Sequence, residues 1–440
     1  MKKVLLFGAG RIAGPYIDYL TRKGDCELIA ADISPDSLAR VAGLSERITA
    51  ERMDASNNVE AIIDRYAPDV VSIFLPPECL RETVHICMEK NVNVVHPIYL
   101  SDELRAMREE IEARRLIVIA ELGLDPGIDH MAAARTIDKI HARGGAVESF
   151  RSLCGALPAP DSNVNPWGYK LSWSPATLIA ASKRTAKIVE NGEEIVWPNG
   201  ETYEHPFLYD IDGLGTFEAY ANADAAVYAA VYNIPEAKSI YRGTLRYPGW
   251  CETISYMNRI GYFETSQKET KGLTFADFTS RQCGFPGKEA KEAMMRRFNL
   301  NPWSAFIMRM EWLGFFEDRA LPFDAGSPRD VVSHLFAEKL NFTEKERDVV
   351  ILYDTVRARY PDGRRKEYKS VLIDYGVPGK WTSCARTTGV PPAVAVRFIL
   401  EGKISTPGLY TPTSREIYEP VLNELEDEGI ILDEYESDLL

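Results

Sequence analysis

The chain has 440 residues, a formal net charge of −14, a pI near 5.1 and 45% hydrophobic residues, enough to bury a large core in two or three domains. The acidic balance argues against tracking along nucleic acid or lying on an anionic membrane face. Seven widely spaced cysteines with no CxxC, and six histidines with no HxxxH or HExxH, argue against a disulfide framework or a metal site.

Met1-Lys2-Lys3 leads straight into the apolar run Val4 to Phe7, with no cleavable apolar leader. No run approaches the ~18 residues of a membrane span, so a reducing cytoplasm is expected. Val4 to Phe7 reads as a buried strand. It feeds Gly8-Ala9-Gly10-Arg11-Ile12-Ala13, and a helical pattern runs to about Leu20. A second strand covers Glu27 to Ala31, and Asp32 closes it. Strand, glycine turn, helix, strand and terminal acid make a dinucleotide fingerprint. Gly8 permits the tight turn, Gly10 bares backbone to a pyrophosphate, and Ala13 lets the helix pack close to the strand. The helix N-terminus offers free N–H groups and a partial positive charge. Asp32 can accept hydrogen bonds from both hydroxyls of an adenosine ribose, whereas a 2′-phosphate there meets a like charge. NAD is therefore expected ahead of NADP. A glycine turn that merely packs a core is the alternative.

Helices are expected over 35–43, 59–66, 78–90 and 101–114, and strands over 69–75, 92–96 and 116–120. Asp54 closes a short segment between the first two of these helices. The alternation implies a parallel, doubly wound sheet with ligands at the carboxyl ends of its strands. After Gly123 the pattern changes. A helix over 128–143 leads into aromatic-rich strands at 146–154, 169–173 and 239–247. The stretch 271–346 is helical and charged. Strands at 348–360 and 366–375 form a hairpin turning at Pro361-Asp362-Gly363, so the helical stretch reads as an insertion. A helix over 391–401 begins at its prolines, another covers 417–428, and an acidic tail follows.

The fold class expected is α/β: an N-terminal Rossmann doubly wound parallel sheet plus a mixed-sheet α+β domain with a helical insertion. The Rossmann domain spans 1–122 and is completed by about 403–440. The mixed-sheet domain, for substrate and dimerisation, spans 123–270 and 347–402. The insertion spans 271–346.

Gly123-Leu124-Asp125-Pro126-Gly127-Ile128-Asp129-His130 lies where the first domain hands over to the second. Asp125 reads equally as a helix cap or as a group at the mouth of the crevice. This segment resembles the saccharopine dehydrogenase family, in its glutamate-forming branch. Cys154-Gly155-Ala156-Leu157-Pro158-Ala159-Pro160 resembles the family's CGGLPAP, and Asn165 to Pro175 its NPLGYKFSWSP. Arg242-Gly243-Thr244-Leu245-Arg246-Tyr247 is similar to its RGTLRY. Thr387-Thr388-Gly389-Val390-Pro391 and Gly402-Lys403-Ile404 extend the likeness through almost the whole chain.

The resemblance implies an oxidoreductase acting on the C–N bond of a carboxylated secondary amine. Saccharopine is lysine joined through its side-chain nitrogen to the α-carbon of glutaric acid. Hydride leaves carbon for the nicotinamide, an imine forms, and water releases glutamate and 2-aminoadipate semialdehyde, or the reverse in lysine biosynthesis. It also implies the site. Asp125, Tyr99 and Cys154 are the catalytic candidates. Tyr99, Asp125, Lys170, Arg242, Gly243 and Thr244 are the substrate-binding ones. For NAD, with NADP the second option, the candidates are Gly8, Ala9, Gly10, Arg11, Ile12, Asp32, Ile33, Asp54, Phe74, Leu75, Leu124 and Ser174. Arg242 can hold a carboxylate in bidentate fashion. His96, at a strand end, reads as structural more than as an acid or base. The expected partner is a small molecule, with no nucleic acid, membrane or metal, and a homodimer is open.

Two departures stand out. The chain has His96-Pro97-Ile98-Tyr99, where the family run matches only at the tyrosine. It has Ala221-Asn222-Ala223-Asp224-Ala225, with Ala223 where the family carries an arginine for a carboxylate. Either another cation compensates, or the substrate is a different amine, as in carboxynorspermidine dehydrogenase-like or homospermidine synthase-like enzymes.

Overall fold

The computed structural model describes residues 1–55 and 57–439. Its elements begin with β1 (Lys2–Phe7), α1 (Ala13–Lys23), β2 (Cys26–Asp32), α2 (Pro35–Ala42), β3 (Ile48–Arg52) and α3 (Val59–Tyr66). There follow β4 (Val70–Ile73), α4 (Pro77–Glu89), β5 (Asn93–Val95), α5 (Asp102–Ala106), α6 (Arg108–Ala113) and β6 (Ile117–Ile119). Next come α7 (Ile128–Ala142), β7 (Ala146–Pro158), α8 (Pro175–Ala181), β8 (Ala186–Glu190), β9 (Glu193–Trp197), β10 (Phe207–Ile211) and β11 (Gly215–Ala221). After α9 (Tyr228–Val231) and β12 (Ser239–Arg246) the chain is mostly helical. That stretch holds α10 (Trp250–Ile260), β13 (Lys268–Glu269), α11 (Phe275–Gln282), α12 (Ala290–Phe298), α13 (Ala305–Leu313), β14 (Ala325–Gly326) and α14 (Pro328–Lys339). It ends with β15 (Asp348–Arg359), β16 (Arg365–Tyr375), α15 (Ser383–Leu400), β17 (Gly408–Tyr410), α16 (Arg415–Asp427) and β18 (Asp433–Leu439). The chain divides into two compact units, one of residues 1–150, 230–236 and 350–440, the other of 151–229 and 237–349.

In the first unit a seven-stranded sheet runs β17-β6-β5-β4-β1-β2-β3, and every pairing is parallel. Val4 to Phe7 and the whole of β4 are buried, as unbroken apolar runs require when helices cover both faces. Leu5, Phe7, Ile29, Val71, Ile73 and Val94 pack with Ile62, Leu80, Val84 and Ile111 of α3, α4 and α6. α15 packs along α1. The approach is close enough that a Cβ on Gly389 would lie 2.5 Å from the Ile12 carbonyl oxygen.

α15 begins at Ser383, earlier than its prolines suggest, because Thr382 caps it by accepting the Ala385 N–H at 3.1 Å. Pro391 and Pro392 lie inside it, both buried. The apolar packing of this helix outweighs their missing donors. The acidic tail is an ordered antiparallel edge strand: β18 pairs with β16 from Arg365↔Leu439 to Val371↔Asp433. Charge matching fixes it, with Lys366 Nζ 2.7 Å from Glu436 and Arg143 2.9 Å from the same carboxylate.

A nine-stranded sheet follows the order β10-β11-β12-β7-β15-β16-β18, with β8 pairing β12 and β9. In the second unit β10, β11 and β12 are antiparallel neighbours, and β8 and β9 form a hairpin. Residues 169–173 form no strand. The Leu171 N–H donates to Leu340 O at 2.7 Å, and Asn165 Nδ2 donates to Tyr169 O at 2.9 Å, so loops take the backbone bonds a strand would need.

Candidate active site

The loop after β1 fits a dinucleotide. A Cβ on Gly8 (φ 97°) would lie 2.6 Å from Phe74 O, so only glycine fits the turn, while nothing lies within 4 Å of the Gly10 Cβ position. That open approach is where a phosphate needs bare backbone. Ile12, the N-cap of α1, makes no side-chain cap, and the first turn of α1 carries no acid, so no side chain competes with an anion there. Asp32 Oδ2 accepts the Ala9 N–H at 2.6 Å and Oδ1 accepts the Ser34 N–H at 2.8 Å. These bonds hold the carboxylate beside the glycine turn. Arg11 and Ile33 are exposed at the same loops, and Asp54 follows β3. Phe74 and Leu75 follow β4, with the Phe74 ring edge-on to Tyr16 at 5.2 Å.

Tyr99 and Asp125 meet. The Tyr99 hydroxyl donates to Asp125 Oδ1 at 3.0 Å. They stand on the loops after β5 and β6, which continue side by side past the strands: the Leu122 N–H donates to His96 O and the Glu121 N–H to Ile98 O, each at 3.1 Å. The 123–130 turn is closed by the Gly123 N–H on Pro126 O (2.8 Å), the Ile128 N–H on Gly123 O (2.9 Å) and the Gly127 N–H on Asp129 Oδ1 (2.6 Å). Leu124 is buried in this turn and its carbonyl accepts the Asp129 N–H.

Beneath the pair lies a buried polar set that sequence reasoning missed. Glu121 Oε1 accepts the Leu100 N–H at 2.8 Å, and Oε2 is 2.9 Å from His130 Nε2. His130 Nδ1 is 2.6 Å from the Tyr232 hydroxyl. The available signal was an acid inside the apolar run Ile117 to Leu122, because an acid buried there needs a partner. His96 is fully buried, and burial pushes its imidazole down to about 4, against the raising effect of Glu121.

In the second unit Arg242 is buried on β12, its guanidinium on the Tyr228 hydroxyl and 4.4 Å from that ring's centroid. No sequence feature pointed to Tyr228. Gly243 has no room for a side chain, because a Cβ would lie 2.6 Å from the Tyr241 ring and 2.8 Å from Tyr220 O. Thr244 is the register partner of Tyr220. Asn222, beside Ala223, donates its N–H to Arg242 O at 2.9 Å. Ala223 has φ 55°, and its carbonyl accepts the Lys187 N–H at 2.9 Å. The cations at this loop are Lys187, 3.3 Å from Asp224, and Arg184, 3.5 Å from Asn222 Oδ1. Arg184 forms no ion pair among the described residues.

Cys154 is buried on β7. Lys170, read from sequence as a carboxylate partner, is buried with its ammonium 2.8 Å from both Glu346 oxygens. Ser174 caps α8, accepting the Thr177 N–H at 3.4 Å.

A family model described as the saccharopine dehydrogenase NADP binding domain matches residues 4–119, and one described as the saccharopine dehydrogenase C-terminal domain matches 123–430. The chain belongs to the saccharopine dehydrogenase family. This family member is 32% identical to a Saccharomyces cerevisiae protein named saccharopine dehydrogenase (NADP(+), L-glutamate-forming), over 98% of this chain and 99% of that one. It is 31% identical to the bovine protein named alpha-aminoadipic semialdehyde synthase, mitochondrial, over 98% of this chain but 47% of that longer one. Apo saccharopine dehydrogenase (L-Glu forming) from Saccharomyces cerevisiae superposes with a TM-score of 0.87 at 31% identity, covering 99% and 100% of the two chains. The Rossmann-type parallel sheet with a second sheet and helices is thus the family fold, as the sequence led us to expect. The protein is an oxidoreductase with a nicotinamide-binding domain. Nothing in these relatives supports the polyamine alternative. No helix among the described residues is long and apolar enough to cross a membrane.

Proposed function

We propose that this oxidoreductase converts saccharopine and NAD or NADP to glutamate, 2-aminoadipate semialdehyde and reduced cofactor, or runs that reaction in reverse. The observation that carries this reading is the Tyr99–Asp125 pair on the loops after β5 and β6, at the carboxyl edge of a sheet whose β1 loop fits a dinucleotide. Ligands of open parallel sheets bind at that edge. The bound nicotinamide supplies a hydride acceptor.

The chain's residues supply the rest. Asp125 accepts a proton from the secondary amine as the lysine-side carbon gives up its hydride and the C=N bond forms. Tyr99, donating to Asp125, holds that carboxylate and hydrogen-bonds the amine. Water then adds to the imine carbon, the C–N bond breaks, and the nitrogen leaves with glutamate. Arg242, steered by Tyr228, binds a substrate carboxylate, with Gly243 and Thr244 beside it. Arg184 supplies a second cation near Ala223. Cys154, buried on β7, is the remaining candidate for the chemistry, and Lys170 serves the fold through Glu346.

For the cofactor, Gly8 to Ile12 take the pyrophosphate, Asp32 and Ile33 the ribose, and Asp54 the adenine edge. Phe74, Leu75 and Leu124 belong to the nicotinamide side, and Ser174 to the cofactor's neighbourhood. The relatives' names carry NADP(+). The matching domain model and these names favour NADP, against the NAD expected from the sequence, and Asp32 is the one residue at the ribose whose carboxylate opposes a 2′-phosphate. The experiment is turnover of saccharopine with each cofactor. Reduced nicotinamide and glutamate formed one for one support the reading. No turnover in either direction with either cofactor rejects it.

A further inference from the structure

A buried carboxylate is costly unless polar groups face its oxygens. Glu121 has such groups on both. Glu121 is 4% exposed and His130 fully buried, and they join two loops rather than two layers of core. One carboxylate oxygen takes the Leu100 N–H, one residue beyond Tyr99. The other lies 2.9 Å from Nε2 of His130, on the first turn of α7, the helix opened by the 123–130 turn that carries Asp125. Tyr232 holds the far side of the imidazole. Glu121 has φ 57°, a backbone conformation that a non-glycine residue rarely adopts, and it turns the chain between β6 and Asp125.

We propose that Glu121, oriented by His130 and Tyr232, is a positioning residue that sets the Tyr99–Asp125 geometry. This rests on the roles given above to Tyr99 and Asp125. The carboxylate ties the backbone beside one reacting group to the helix that follows the other. Losing it leaves both groups present but free to part. A displacement of about 1 Å between reacting groups can lower the rate by about 100-fold. The chemistry should then suffer more than binding of the dinucleotide, whose phosphate loop lies on β1.

The test is a double-mutant cycle on kcat for saccharopine oxidation, with dinucleotide affinity measured separately by fluorescence quenching. Glu121→Ala should lower kcat about 30-fold or more and leave cofactor Kd within about twofold. Tyr99→Phe combined with it should lose little beyond the worse single variant, because both changes break one unit. Glu121→Gln, which keeps an acceptor for Leu100 but not the charge, should lose about three- to tenfold and show the same non-additivity. It carries the test should the alanine variant not fold. Multiplicative losses, an equal loss of cofactor affinity, or full activity in Glu121→Gln would overturn the assignment while leaving the function standing. An inactive wild-type enzyme would overturn the functional reading, and this assignment with it.

Discussion

The Tyr99 hydroxyl donates to Asp125 Oδ1 at 3.0 Å, joining two residues 26 positions apart on adjacent loop ends. A hydrogen bond to an ionised partner is worth roughly 1.5–3 kcal/mol, or about ten- to a hundredfold in rate if it is made in the transition state. Tyr99→Phe is expected to lower kcat by that factor with cofactor affinity unchanged. Asp125→Asn should cost more, since it also removes the proton acceptor. Steady-state kinetics with separate titration of the dinucleotide check both.

Arg242 is buried with Tyr228 against its guanidinium. Arg242→Ala should raise the KM for saccharopine by about 100-fold and leave that for cofactor within about twofold. Lysine should rescue poorly, lacking the planar fork. Arg184→Ala should raise the substrate KM by a smaller factor, about tenfold. An unchanged KM would remove Arg184 from the carboxylate site.

Asp32 is held by the Ala9 and Ser34 N–H groups. Asp32→Ser should lower kcat/KM with NAD by about tenfold or more and improve relative use of NADP, since Arg52, its register partner on β3, then dominates the local charge. Paired assays with both cofactors measure the ratio.

Much of this half was legible in the chain. Gly8, Gly10 and Asp32 carry a local pattern in which each residue type has one backbone or charge reason to be there. Arg242 and Asp125 were visible only through long motifs resembling a family. Glu121, His130 and Tyr232 were not visible as a set, because the bonds that join them span 9 to 102 positions. The stretch 169–173 alternates like a strand, yet the Leu340 carbonyl claims its backbone. The prolines of α15 hid a helix held by packing on α1.

That packing makes a further prediction. A methyl group on Gly389 would lie 2.5 Å from Ile12 O and 3.3 Å from Tyr16 N, pushing on the start of α1. Gly389→Ala should raise the cofactor KM several-fold, leave the saccharopine KM unchanged and destabilise by about 1–3 kcal/mol. Kinetics and thermal unfolding of the same preparation test it.

His96 is buried with its imidazole pushed down to about 4. The unfolded chain binds this proton near pH 6.5, so between about 6.5 and 4 it holds more protons than the folded one. Stability is complete above that window and falls with pH through it, by about 3 kcal/mol in all. Urea unfolding from pH 7 to 4 should show the slope, and His96→Gln should flatten it. An unchanged slope would place the acid sensitivity elsewhere.

The most direct measurement follows one hydrogen. Saccharopine deuterated at the lysine ε-carbon should pass one deuterium to the reduced nicotinamide and release unlabelled glutamate. Deuterium retained in a lysine product, with 2-oxoglutarate formed in place of glutamate, would contradict the account.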